Sequence, residues 1–422
     1  MNLLLEDRDR EMLGGMGGEA TALAMRIVVA MAEAAGAARL LDITGAHIDG
    51  CLYHGPVGLR FAERLAADGA RVRVPTTLNV SAVDLLHPAS VRLAEPMRSE
   101  ARRQMTAYES MGCQPTWTCA PYQLPHRPAF GEHVCWAESN AIVFANSVLG
   151  ARTDRYGDFM DICAAITGRV PEAGLHLDAN RLGRVVFRLS GFGEVASGHE
   201  AFWALLGNVV GARAGNDVPV VLGAPEGVPE DHLKALGAAA ASSGSVALVH
   251  VVGTTPEAAT LNDALGGRPP LRTIDVGPDD LRAAVGELTG SDVGGPLRAV
   301  SVGTPHLSLE GFERLTPMLA ATRIHSGVTF YVSTGRDVLR RVEERGWLPV
   351  FQAPGIRLVV DTCTYIAPIL GPDETLAMTD SAKWAWYAPG NLGITTAFGT
   401  MEDCVRSAAA GRVIRDFGWL DG

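Results

Sequence analysis

"VTFYVSTG" (328–335), "RDVLRRVEERG" (336–346) and "IRLVVDTCTYIAP" (356–368) follow one another along the chain. The first and third are short runs rich in β-branched and aromatic residues. The middle one sets Val338, Leu339 and Val342 among charges at helical spacing. Strand, helix, strand in that order predicts parallel strands joined by a helical crossover. "GFERLTPMLA" (311–320) reads as a further helix just upstream. The alternation extends backward. "RVRVPTTLNV" (71–80), "AIVFANSVLG" (141–150) and "VVFRLSGFG" (185–193) read as strands, with helical patterns such as "GLRFAERLAADGA" (58–70) between them. Residues 18–41 read as one long helix. The expected fold class is therefore α/β with mainly parallel sheets.

The 422 residues exceed what one compact core needs and suit two or three α/β units. Polar site-like clusters thin out near residue 195. "VPVVLGAPEG" (218–227), "HLKALGAAAASSGSVALVHVVGTTPEA" (232–258) and "LRTIDVGPDDLRAAVGELTG" (271–290) then form a strand–helix series with little in it that resembles a site. The expected division is 1–195, an inserted 196–296, and 297–422.

The net charge of -11 and the absence of a long basic block argue against nucleic-acid binding. The start, "MNLLLEDRDREML", turns charged too soon for a signal peptide. The longest apolar stretch (20–41) contains Arg26 and Glu33, which suits a buried helix rather than a membrane span. A cytoplasmic location is expected. The seven scattered cysteines then read as free thiols, most of them packed as small hydrophobes. Glycine-rich "GGMGGEA" (14–20) is neither a P-loop nor preceded by a strand.

Open α/β sheets bind ligands where their strands end, and here the polar residues gather at those points. Cys119 in "TCAPY" and Cys363 in "DTCTY" each follow a threonine in a loop after an apolar run. Thiolates at such places hold iron–sulfur clusters, zinc or copper, or are simply buried. "AHIDGCLYHG" (46–55) packs His47, Asp49, Cys51 and His54 around a turn, without the spacing of a common structural zinc site. The expected substrate-binding set is Asn79, Glu138, Ser139, Asn146, Ser147, Arg152, Thr153 and His306. Arg152 follows a Gly-Ala step, where a guanidinium can grip a carboxylate. Ser308, after His306, is a helix N-cap candidate. Lys383 lies beside tryptophans in "DSAKWAWY", either snorkelling to the surface or anchoring substrate.

Taken in order, "AHIDGCLYHG", "VPTTLNV", "MGCQPTWTCAPYQ", "WAESNAIVFANSVLGARTDR", "GTPHLSLE", "DTCTYIAP", "DSAKWAWYAPG" and "GTMEDCVRSAAAGRV" resemble the aconitase X family. The likeness runs from about residue 45 to the C-terminus. It implies an aconitase-like architecture of several α/β/α units around a central cleft. It also implies an iron-dependent hydro-lyase, carrying a 2Fe-2S or 4Fe-4S iron–sulfur cluster or mononuclear iron. Bacterial-looking members dehydrate cis-3-hydroxy-L-proline to Δ1-pyrroline-2-carboxylate, and archaeal ones act on a phosphorylated mevalonate. Cys119 and Cys363 match two of the family's metal ligands. The third, a cysteine in some members, is replaced by Thr304, so Cys113 or Cys51 is the expected substitute. Cys135, Cys163 and Cys404 read as core.

The family also uses a small swivelling domain, fused or separate, whose serine abstracts the substrate proton. Nothing in these residues reads as that domain, so a separate small subunit is the expected partner. Otherwise His47, Asp49 or Ser381 must act as base. Lys383 or Arg152 would hold the substrate carboxylate and stabilise developing charge. Two other classes stay open: a zinc or metal-free hydrolase, and a regulatory subunit without activity.

Overall fold

The computed structural model describes residues 3–193, 196–291 and 293–420, so the expected boundary at 195 lies outside the described residues. The chain divides into two compact units, one of residues 1–83 and 93–182, the other of 84–92 and 183–422.

In the first unit a short helix, Asp7–Leu13, precedes helix α1, Glu19–Ala34. The expected helix to residue 41 is cut short at Gly36, which takes a φ of 66°. Leu40–Asp42 (β1) then pairs antiparallel with Arg169–Pro171 (β5). The unit's main sheet is small and parallel. Ala46–Ile48 (β2) lies between Thr76–Leu78 (β3) and Cys135–Trp136 (β4). Pro75 helps explain why "RVRVPTTLNV" yields only three strand residues, because its nitrogen cannot donate to a ladder.

"AIVFANSVLG" is not a strand. It forms helix α2, Ser139–Phe144, and then a π-helical turn, Ala145–Leu149. The Glu138 side chain caps the start by accepting from the Ala141 N–H. Ala141 to Ser147 are all buried. A helix buried on every side loses the periodicity that separates it from a strand. Helix α3, Met160–Thr167, is buried throughout and carries Cys163.

The second unit holds two parallel sheets. Val185–Leu189 (β6), Pro219–Leu222 (β7), His250–Val251 (β8) and Arg272–Val276 (β9) are ordered β8-β7-β6-β9. Helices α4 (Glu200–Ala214) and α5 (Glu230–Gly244) pack closely. A Cβ on Gly207 would stand 2.3 Å from the Leu236 carbonyl oxygen, so the alanine-rich stretch of α5 is the price of that approach.

The second sheet carries Ala299–Val302 (β10), Thr329–Ser333 (β11), Ile356–Val359 (β12), Leu376–Thr379 (β13) and Thr395–Phe398 (β14), ordered β12-β11-β10-β13-β14. All its pairings are parallel. Helices α6 (Leu309–Ala320), α7 (Arg336–Glu344), α8 (Ala382–Leu392) and α9 (Met401–Ala410) alternate with these strands. Phe312, Phe330, Val332, Val338, Val342 and Cys404 belong to one buried core. Each large apolar side chain there contributes about 1.5–3 kcal/mol. Cys404→Ala should cost on the order of 1 kcal/mol in urea unfolding and leave metal content unchanged, since Cys404 lies wholly inside that core. Among the described residues no helix is long and apolar enough to cross a membrane.

Candidate active site

In the first unit the three parallel strands end together. Asp49 follows β2, Asn79 follows β3, and Glu138 follows β4, so the sheet sets three expected site residues along one edge. The Asn79 amide donates to Asp49 Oδ1. Burial raises the Asp49 carboxyl to about 7, and the charges of Glu138 and Asp158 add to the rise. Beneath it the buried Asp161 accepts backbone N–H groups of Asp49 and Gly50 at 2.8 and 2.9 Å, fixing the turn. The folded chain thus holds a proton on Asp49 that the unfolded chain releases, so this group's contribution to stability falls as pH rises from about 4 to about 7. Asp49→Asn should be more stable than the parent at pH 8, by on the order of 1 kcal/mol, in urea titrations.

His47 points elsewhere. It is fully buried, its Nδ1 lies 2.8 Å from Thr77 Oγ1, and burial lowers it to about 3. It stays neutral at physiological pH.

The Cys119 loop is held along β3. Gln114 N–H donates to the Thr76 carbonyl at 2.8 Å and Thr118 N–H to the Leu78 carbonyl at 3.1 Å. Thr116 Oγ1 both accepts from Leu78 N–H and donates to its carbonyl, each at 2.9 Å. The Asn140 amide then donates to the Cys119 carbonyl at 3.0 Å and to Glu138, while its oxygen accepts from Tyr122 at 2.7 Å. Asn140, which the sequence reading passed over, therefore ties the Cys119 loop to the Glu138 cap.

The other two thiols proposed as ligands sit differently. Cys51 Sγ donates to the carbonyls of Ile48 and Asn79 at 3.3 and 3.4 Å, and burial pushes its pKa up. Cys113 is buried, which also raises its thiol.

In the second unit the strand order reverses between β10 and β13, the place where open α/β sheets form their crevice. The loop after β10 carries Thr304 and His306, and the loop after β13 carries Ser381, with Lys383 following it in the first turn of α8. Gly303 begins the first loop at φ 86°, where a Cβ would come 2.2 Å from the Ser333 carbonyl oxygen. Ser308 ends it as the N-cap of α6, accepting from Gly311 N–H at 2.9 Å. Ser381 caps α8 and donates its own proton to the Thr304 carbonyl, which stitches the two loops together.

After β12, the loop with Cys363 adjoins His306. His306 Nε2 lies 3.2 Å from the Thr362 carbonyl oxygen, which places its proton there and the lone pair on Nδ1. A ring nitrogen of His306 and Cys363 Sγ fall within 4.8 Å of each other. Burial lowers His306 to about 4, opposed by the Thr362 hydrogen bond and helped by the charges of Lys234 and Lys383. Thr364 accepts from Trp384 Nε1 at 2.8 Å and lies 2.6 Å from Ser301 Oγ, fastening the Cys363 loop to α8 and β10. Lys383 is only 3% exposed, so it does not snorkel.

Four expected substrate residues have their polar atoms engaged in the first unit's own loops. Asn146 and Thr153 bond each other through Nδ2 to carbonyl (2.9 Å) and N–H to Oδ1 (3.1 Å). Arg181 adds bonds to both the Asn146 side chain and carbonyl at 3.0 Å. Arg152 pairs with Asp178 and the His176 carbonyl. Ser139 Oγ lies 3.5 Å from the Glu138 carboxylate. Ser147 is buried in the π-helical turn.

Comparisons place this arrangement among known proteins. Residues 2–179, 183–286 and 297–410 match the first, second and third domains of aconitase X. The chain is 46% identical over 97% of its length to the cis-3-hydroxy-L-proline dehydratase of Pseudomonas aeruginosa, covering 70% of that protein. It is 36% identical over 95% of its length to the phosphomevalonate dehydratase large subunit of Methanothermobacter thermautotrophicus, covering 98% of it. The crystal structure of Thermococcus kodakaraensis aconitase X in its holo-form superposes with a TM-score of 0.84 at 31% identity, over 96% of this chain and all of that one. The strand-end loops, their cysteines and these likenesses have one reading: the chain belongs to the aconitase X family.

Proposed function

We propose that this chain is the metal-bearing part of a hydro-lyase that dehydrates cis-3-hydroxy-L-proline to Δ1-pyrroline-2-carboxylate. The observation that carries the substrate is the 46% identity to a protein named for that reaction, against 36% to one named for phosphomevalonate. The donor set fits a metal. Cys363 and a neutral His306 sit within reach of each other, both buried, and every cysteine is a free thiol. Cys363 and His306 would hold the iron, as a cluster or a single ion, and Cys119 is the further thiolate that the family resemblance implies. His306 thus takes the third place, for which Cys51 and Cys113 were the sequence candidates. Iron in such a site supplies Lewis acidity toward a departing hydroxyl.

The chain's own residues do the rest. Lys383 holds the substrate carboxylate, and its charge offsets the negative charge that builds as the α-proton leaves. Asp49 keeps a proton up to about pH 7 and gives it to the departing hydroxyl, which leaves as water. Asn79 fixes Asp49 Oδ1, so the proton resides on Oδ2. The enamine formed then tautomerises to the cyclic imine. The α-proton goes to a serine of a small partner subunit. The match to 98% of a protein named as a large subunit supports such a partner. The disulfide-free thiols suit a reducing cytoplasm.

Purified alone, the chain should turn over cis-3-hydroxy-L-proline poorly, and co-expression with a small swivelling-domain subunit should raise turnover by on the order of 10²-fold. Equal turnover with and without the partner would place the base within this polypeptide. Preferential turnover of mevalonate 5-phosphate would reassign the substrate.

A further inference from the structure

The inserted part of the second unit, which reads as featureless in sequence, reaches the His306 turn. Helix α5 presents Asp231 and Lys234, one turn apart and both largely buried. Lys234 Nζ donates to Asp231 Oδ1 at 2.8 Å, and Ser308 Oγ donates to Asp231 Oδ2 at 2.6 Å. Ser308 caps α6 immediately after the His306 turn. Arg314, on α6, adds its charge 3.6 Å from the same carboxylate and bonds Glu200 on α4.

Beside this pair lies a cavity of about 20 Å³, lined among others by Lys234, Thr304, Asp380, Ser381 and Lys383. Two groups there lack partners for their hydrogens. Thr304 is 6% exposed and its Oγ1 has no hydrogen-bond partner. Lys234 is 5% exposed, and its ammonium, with three hydrogens to give, bonds one acceptor among the described residues. A buried hydroxyl and a buried ammonium left in this way each cost free energy. A polar cavity of this size takes one water.

We infer that one ordered water bridges Lys234 Nζ and Thr304 Oγ1, and that Asp231 and Lys234 are thereby positioning residues for the His306 turn. The inference rests on the proposed function in so far as that turn serves the reaction. It gives Thr304 a task of its own. Its hydroxyl receives the water while Ser381 holds its carbonyl. Asp231 grips one end of the turn through Ser308, and the water grips the other through Thr304.

Three measurements test it on the iron-loaded protein with its partner. A crystal structure at about 1.5 Å should show a water within about 2.6–3.2 Å of both Lys234 Nζ and Thr304 Oγ1. Lys234→Met and the isosteric Thr304→Val should each lose it. Both variants should keep wild-type iron content but shift the electron paramagnetic resonance of the iron. Lys234→Met should lower kcat by about tenfold with KM within about twofold, the size of one lost charge-assisted bond. Lys234→Arg should recover part of that. A dry cavity overturns the water. Variants with wild-type resonance and wild-type kcat overturn the positioning role. Should Lys234→Met fail to fold, Thr304→Val, which removes only the hydroxyl, decides both points. The crystallographic arm does not depend on turnover, so a wrong substrate assignment and a wrong water are told apart.

Discussion

Cys363→Ala protein, purified without oxygen, should carry less than about a tenth of the parent's iron, and Cys119→Ala should do the same. Each removes a thiol from a loop beside a strand end; Cys363 has no second cysteine in its loop, and Cys113, which shares the Cys119 loop, is buried with its thiol raised. The Cys363 loop is fixed by Thr364 to Trp384 and Ser301, so truncation leaves a rigid gap rather than a loop that refolds around the metal. If His306 is a ligand as proposed, His306→Ala should lower iron content less sharply than Cys363→Ala and alter its visible absorption, because solvent replaces a neutral imidazole more readily than a thiolate. Cys51→Ala and Cys113→Ala should leave iron content near the parent's. Iron by mass spectrometry and the visible spectrum read all five. Full iron in Cys363→Ala would remove that loop from the metal site.

Asp49→Asn should lower kcat by on the order of 10²–10⁴-fold, the range for loss of a general acid. The direction of its pH dependence is specific. An acid must be protonated to act, so kcat/KM in the parent should fall as pH rises through about 7. A base at the same position would give the opposite limb. Asn keeps the bond to Asn79 in shape but carries no transferable proton, so the alkaline limb should vanish with the activity. A variant that retains both the rate and the limb near pH 7 would show that Asp49 moves no proton in the reaction.

The strand–helix alternation around 311–368 was legible because each piece is amphipathic or edge-bounded. Val338 and Val342 face the core from α7 while its charges face solvent. "AIVFANSVLG" was not, because burial on all sides removes the period on which such reading depends. Asp49, Asn79, Glu138, Cys119 and Cys363 could be singled out since strand-end loops concentrate polar residues. What could not be read is which polar residues face one another. Asn146 and Thr153 look like ligands in sequence and are bonded to each other in the fold. Nor does spacing distinguish Cys51 and Cys113, buried beside the first unit's strands, from His306, whose ring adjoins the Cys363 loop. Lys234 carried no signal at all. "EDHLKALG" reads as an ordinary helix start, and it is the packing of α5 among α4 and the loops after β10 and β13 that buries its ammonium.

The proposed reaction is an elimination of water from cis-3-hydroxy-L-proline by the iron-loaded chain with a small partner subunit. Proton NMR of that reaction mixture follows it directly. The substrate's ring C2 and C3 proton signals should disappear as Δ1-pyrroline-2-carboxylate grows, at a rate that falls with iron removal and returns with iron. Unchanged substrate signals in the presence of iron and partner, or turnover that survives complete iron removal, would contradict it.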